Sequence, residues 1–130
     1  MAGPVSGLAG PLEARGERVQ LVPDGTDRLA ILRASTGEAL GRVEVRGGLV
    51  PGELLIWELC IERAHRGYGA GSEAARLLAG AAKSAGWAGL RARAHPEYGL
   101  SVYFWIRMGF RPLHGEGPEG GIWFVREFRG

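Results

Sequence analysis

A single cysteine, Cys60, is the chain's whole complement of thiols. It excludes an intrachain disulfide and any metal site built on several thiolates. Long hydrophobic runs are missing too. None approaches the roughly 20 residues needed to span a bilayer, and the longest, Leu54 to Ile61, is interrupted by Glu58. Met1 to Gly16 lacks the basic start and apolar stretch of a secretory signal, so a cytoplasmic location and no membrane partner are the expectation. Charge of one sign is also scarce. The formal net charge is +2, and the cations are spread rather than clustered, which argues against a nucleic-acid partner. Lys83 is the only lysine, so arginine carries nearly all the positive charge. Arginine suits phosphate recognition through forked hydrogen bonds. His65, His95 and His114 show no ligand spacing, and no metal is expected.

What is present fits one domain of 130 residues. Residues 1–16 are rich in Gly, Pro and Ala without apolar periodicity and read as a poorly ordered arm; residues 17–130 form the domain. Strands are expected over Arg18 to Val22, Arg28 to Ala34 and Leu40 to Arg46, separated by turns at Pro23 to Thr26 and Ser35 to Glu38. In the third, Val43 and Val45 fall on one face and Arg42, Glu44 and Arg46 on the other, the mark of a half-buried strand. Leu54 to Ile61 is almost wholly apolar and reads as a central strand covered on both faces. Ser72 to Ser84 has helical spacing, with Ala74, Leu77, Leu78 and Ala81 at i, i+3, i+4 and i+7, and Gly86 marks its end. Leu90 to His95 alternates again. A second helix is expected from Leu100 to Met108, ended by Gly109. Two last strands follow, Arg111 to His114 and Gly121 to Phe128, with a turn over Gly115 to Pro118. The fold class is α+β, a mixed sheet flanked by two helices, with a right-handed βαβ unit at its centre.

That unit carries the chemistry. Between the buried strand and the first helix runs Arg66-Gly67-Tyr68-Gly69-Ala70-Gly71-Ser72. Glycines let the backbone approach a ligand closely, and the unpaired N–H groups and dipole of a helix start favour an anion. A pyrophosphate fits, with Arg66 adding charge. The ATPase pattern G-x-x-x-x-G-K-S/T fails because no lysine follows. The dinucleotide pattern G-x-G-x-x-G fails because residue 72 is Ser and no acidic residue stands about 20 positions on.

Arg66, Gly69 and Gly71 match the signature R/Q-x-x-G-x-G/A, and Phe104-Trp105-Ile106-Arg107-Met108-Gly109-Phe110 matches an aromatic helix ending in Gly-Phe. With Leu59-Cys60-Ile61 closing the strand before the loop, this ordered pair of motifs resembles the GCN5-related N-acetyltransferase (GNAT) family, over roughly Arg18 to Phe128. The resemblance implies a mixed, mostly antiparallel sheet whose two parallel strands splay apart after about Leu59. It implies acetyl-coenzyme A as cofactor, with its pantetheine arm along Leu59, Cys60 and Ile61 and its pyrophosphate on Arg66, Gly67, Tyr68, Gly69, Ala70, Gly71 and Ser72. Tyr98 and Trp105 are further cofactor contacts on the same grounds. The implied activity is N-acetyl transfer to an amine by direct attack.

An ammonium with a pKa of about 10 needs a base before it can attack. Glu58, the one charged residue in the central strand, is the candidate; its structural alternative is a pair with Arg42, Arg46 or Arg93. The family's tyrosine acid, four residues before the Gly of Gly-Phe, is replaced here by Trp105. Tyr103 lies two residues earlier, about 200° round a helix, and does not substitute. Cys60 reads as an inert strand thiol. Only Pro23 to Asp27 separates the first two strands, where the family carries helices that wall the acceptor site. The acceptor side is therefore expected to be open, suiting a peptide, protein or other large amine. The same features suit an alternative, a non-catalytic module that binds acyl-coenzyme A as a sensor or partner subunit. Exposed edge strands and the strand Ile122 to Phe128 could support a homodimer.

Overall fold

The computed structural model describes residues 7–48, 50–94, 99–113 and 122–128. His95, Tyr98, His114 and the turn over Gly115 to Pro118 lie outside the described residues. Those residues form eight strands: β1 (Ala14–Arg15), β2 (Val19–Pro23), β3 (Arg28–Arg33), β4 (Ala39–Arg46), β5 (Glu53–Ile61), β6 (Gly89–Ala94), β7 (Arg111–Pro112) and β8 (Ile122–Glu127). Two α-helices are described, α1 (Ala70–Ser84) and α2 (Gly99–Arg107). The strands make one sheet in the order β1-β2-β3-β4-β5-β6-β8-β7. Only β5 and β6 pair as parallel neighbours; every other adjacent pair is antiparallel. The α+β class and the mostly antiparallel sheet are as expected. No helix interrupts β2 and β3, which a short turn joins.

Alternation decides which face of the sheet is dry. Val19, Leu21, Leu29, Ile31, Val43, Val45, Leu54, Ile56, Leu90, Ala92 and Phe124 are buried on the helix side. Both crossovers, β5-α1-β6 and β6-α2-β7, step the same way along the sheet, so right-handed connections put α1 and α2 on one face. The Phe104 ring of α2 accordingly lies 3.6 Å from the place a Cβ would take on Gly71 of α1. The buried stripe of α1 is Ala70, Ala74, Ala75, Leu78, Ala79 and Ala82, rotated from the expected one, with Leu77 and Ala81 only partly buried. A helix this rich in alanine offers several faces of similar hydrophobicity, and packing chooses among them.

Residues 7–16 differ from the expected arm. Gly10–Leu12 form a 3-10 turn, Ala9 and Leu12 have no exposed surface, and β1 pairs with β2. Leu8 packs near Gly47 and Trp87. Two or three apolar anchors among Gly and Pro leave no periodic trace, yet they suffice to seal the core beside α1.

The opposite sheet face carries no helix among the described residues. Arg42 pairs with Glu58 at 2.7 Å, Arg46 with Glu44 at 2.9 Å and Arg91 with Glu53 at 2.8 Å. The guanidinium carbons of Arg46 and Arg93 lie 3.8 and 3.7 Å from the Trp57 ring. Long arginine stems thus cover Leu55, which is buried, while their charged heads stay wet.

The Gly-Phe motif has a structural cause. At the end of α2 the Gly109 N–H donates to Ile106 O at 3.1 Å and the Phe110 N–H to Trp105 O at 3.0 Å. Those are the two bonds of a Schellman ending. The accompanying apolar contact is the edge-on packing of Phe110 against Trp105, centroids 4.9 Å apart. Gly109 has φ +89°, a conformation that costs an L-residue about 1–2 kcal/mol. Gly109→Ala is therefore expected to lower the unfolding midpoint by about 5 °C, readable by calorimetric melting; an unchanged midpoint would refute this account of the motif.

Candidate functional site

The site begins at an irregularity in β5. Glu44 faces Glu58 across β4–β5, but the next pair is Val45 with Ile56, so Trp57 is an extra residue on β5. A bulge of this kind bends its strand and ends regular pairing. Parallel pairing with β6 stops at Ile56 and Ala92, three residues before the splay expected at Leu59. Beyond it, among the described residues, a side chain crosses, Arg93 Nε donating to Trp57 O at 2.8 Å. Trp57 O therefore faces β6, and by strand alternation the peptide groups of Leu59 face the same gap. Ile61 O is taken by Arg66 Nε at 2.8 Å. Cys60 is the cross-strand partner of Arg42 on β4.

At the mouth of the gap sits the glycine loop. Gly67 and Gly69 hold φ of +87° and +83°, which residues with a Cβ rarely adopt. Gly69 is the N-cap of α1, and no side chain caps that end. The first N–H groups of the helix are thus left for an anion. Ala70 is buried, Gly71 and Ser72 are half-buried, and Tyr68 is 71 % exposed. Arg66 ties the loop back to the strand end while its guanidinium stays at the surface.

A second tie fastens the same loop from the β2 side. The Glu73 carboxylate, in the first turn of α1, accepts the backbone N–H groups of Arg18 at 2.6 Å and Val19 at 2.7 Å. Gly16 permits this approach, since a Cβ there would lie 2.5 Å from Glu73 Oε2. The Arg18 side chain then returns to the loop, its NH1 group donating to Tyr68 O at 2.9 Å. Sequence reasoning missed Arg18, Gly16 and Glu73 as parts of the site. No local pattern joins residues 50 or more positions apart.

Glu58 stands beside the bulge on the helix-free face, 39 % exposed at its side chain, with Oε1 on the Arg42 guanidinium. The structural pairing with Arg42 is thus present. Trp105 is 4 % exposed and packed between Phe104 and Phe110; its position is one of the core, where it closes the end of α2. Tyr103 is 69 % exposed, on another side of α2 from Trp105 as its spacing implies. His65 Nε2 lies 3.8 Å from Glu38 and 3.9 Å from Glu62, a loop environment. Among the described residues no cluster of His, Cys, Asp and Glu could hold a metal ion. No described helix is long and apolar enough to cross a membrane.

The fold is shared with solved proteins. The sequence matches no family model and no curated protein. The structure is similar to the PaiA N-acetyltransferase of Thermoplasma acidophilum in complex with coenzyme A, TM-score 0.66 at 13 % identity over 78 % of this chain and 60 % of that one. It is similar to the GNAT domain of S. lividans PAT, TM-score 0.65 at 16 % identity over 78 % and 61 %. It also resembles an acetyltransferase of Thermus thermophilus, TM-score 0.64 at 26 % identity over 78 % and 65 %. The fold is that of the GNAT acetyltransferases. This chain spans about three fifths of the length of the first two proteins.

Proposed function

We propose that the protein is a short GNAT member that transfers an acetyl group from acetyl-coenzyme A to an amine. The observation that carries this reading is the uncapped start of α1, with Gly67 and Gly69 at positive φ, placed at the mouth of the gap that the Trp57 bulge opens. The coenzyme A bound in the PaiA structure supports the choice of ligand.

The coenzyme would bring an acetyl group activated as a thioester. This chain's residues would hold it in two places. The amides of Gly67 to Ser72, with Arg66, would take the pyrophosphate, and the gap-facing peptide groups of Leu59 would take the pantetheine arm as an added strand does. An N–H fixed there is a dipole aimed at a carbonyl oxygen, which stabilises charge developing on it. Glu58 would accept the proton of the incoming ammonium, directly or through water; Oε2 has no hydrogen-bond partner among the described residues. The face around Glu58, which carries no helix among the described residues, would admit a peptide, protein or other large amine.

A second reading, a non-catalytic acyl-coenzyme A module, is favoured by one observation. Trp105, where the family's acid stands, is locked in the core by Phe110. The test is thiol release from acetyl-coenzyme A over a panel of amines and amine-bearing peptides. Amine-dependent release above the rate without protein supports transfer. Saturable binding with no release from any acceptor supports the second reading, and neither binding nor release overturns both.

A further inference from the structure

Arg18 belongs to no motif of the glycine loop, yet the fold delivers it there. It immediately precedes β2, and β2 and β5 run antiparallel through the intervening strands, so the beginning of β2 and the end of β5 lie at the same end of the sheet. Its backbone N–H is held by Glu73 at 2.6 Å. Its NH1 group lies 3.5 Å from the place a Cβ would take on Gly69. The one hydrogen bond of the guanidinium among the described residues is to Tyr68 O.

The charges around it favour an anion. The Glu73 carboxylate, which holds the Arg18 backbone, is committed through Oε2 to two backbone N–H groups. No salt bridge to Arg18 occurs among the described residues. Arg66 approaches the loop from the β5 side and Arg18 from the β2 side. An arginine carries five N–H donors in a fixed fork, so one bond to Tyr68 O leaves the rest of the fork for a phosphate oxygen.

Resting on the coenzyme A reading, we infer that Arg18 is a pyrophosphate-binding residue, a second cationic arm that faces Arg66 across the loop. It does two things with one side chain. The bond to Tyr68 O fixes the loop between Gly67 and Gly69, and the remaining donors neutralise a charge that backbone amides alone would only solvate. Coenzyme A carries a second phosphate source, the 3′-phosphate of its ribose, and the test separates the two.

The experiment is calorimetric titration of coenzyme A and dephospho-coenzyme A, which lacks the 3′-phosphate, into wild type, Arg18→Gln and Arg18→Lys. Gln retains an amide donor for Tyr68 O and drops the charge; Lys retains the charge. The expected result is about tenfold weaker binding by Arg18→Gln for both ligands, with a shallower dependence on salt, and no more than about threefold weakening by Arg18→Lys. Melting without ligand is expected to be the same in all three proteins. Wild-type affinity in Arg18→Gln overturns the inference. So does a loss confined to coenzyme A, which would assign Arg18 to the 3′-phosphate, and so does an equal loss in both variants with lowered melting, which would make the role structural. If wild type binds neither ligand, the coenzyme A reading itself falls, and the inference with it.

Discussion

Gly69→Asp combined with Gly71→Asp is expected to weaken coenzyme A binding by more than about 100-fold while leaving the fold intact. The two effects separate for physical reasons. Asp tolerates the left-handed region better than most residues, so the φ of +83° at Gly69 costs about 1–2 kcal/mol at most. A Cβ on Gly71 would meet Ile61 and Phe104 at 3.5 and 3.6 Å, which is ordinary contact. Carboxylates at the start of α1 even favour the helix through its dipole and can occupy its orphan N–H groups. The ligand suffers from the same change. Each added charge about 5 Å from a phosphate opposes it by roughly 3 kcal/mol at an effective dielectric of 20. Calorimetry on both proteins reads the loss and melting reads the fold. Equal binding by wild type and double variant would move the pyrophosphate away from this loop.

Glu58→Gln is expected to slow acetyl transfer by about 100-fold or more, with coenzyme A affinity changed less than about twofold. The carboxylate is on β5, paired with Arg42, and not in the loop, so on the proposed role binding and turnover part company here. Its partnership with Arg42 does not confuse the result. Both side chains are well exposed, at 39 % and 59 %, and an exposed pair contributes no more than about 1 kcal/mol. Arg42→Gln supplies the control, because it removes the pair and keeps the carboxylate. Steady-state thiol release separates the outcomes: a rate lost only with Glu58 assigns the base. Equal loss in both variants would make the pair, rather than the carboxylate, what matters. Unimpaired turnover in Glu58→Gln would place the base elsewhere.

Much of this was legible in the chain itself. Val43 and Val45 against Arg42, Glu44 and Arg46 announced the wet and dry faces of β4, and the structure keeps that division. Gly109-Phe110 announced the end of α2, because a left-handed residue and an apolar lock leave a fixed local signature. The glycine loop could be placed at a helix start by its composition alone. The stripe of α1 was read correctly at Ala74 and Leu78 but extended to Leu77 and Ala81 instead of Ala75 and Ala79, since alanine occupies too many positions for spacing to choose. Residues 7–16 were read as unpacked, although Ala9 and Leu12 are wholly buried.

The amino-acid sequence by itself determined the order of β2 to β8 and of the two helices, the left-handed turns and the glycine loop at the start of α1. Each of these follows from residues within a few positions of one another, through side-chain periodicity, allowed dihedrals and unpaired amides. Only the tertiary structure decided where the gap opens, because the Trp57 bulge exists through its register with Glu44 and Val45 on another strand. It alone brought Arg18 and Glu73 to the loop, and left Glu58 on a face without helices among the described residues. Those outcomes depend on strand pairing and crossover handedness, which join residues far apart in the chain and leave no pattern in their neighbours.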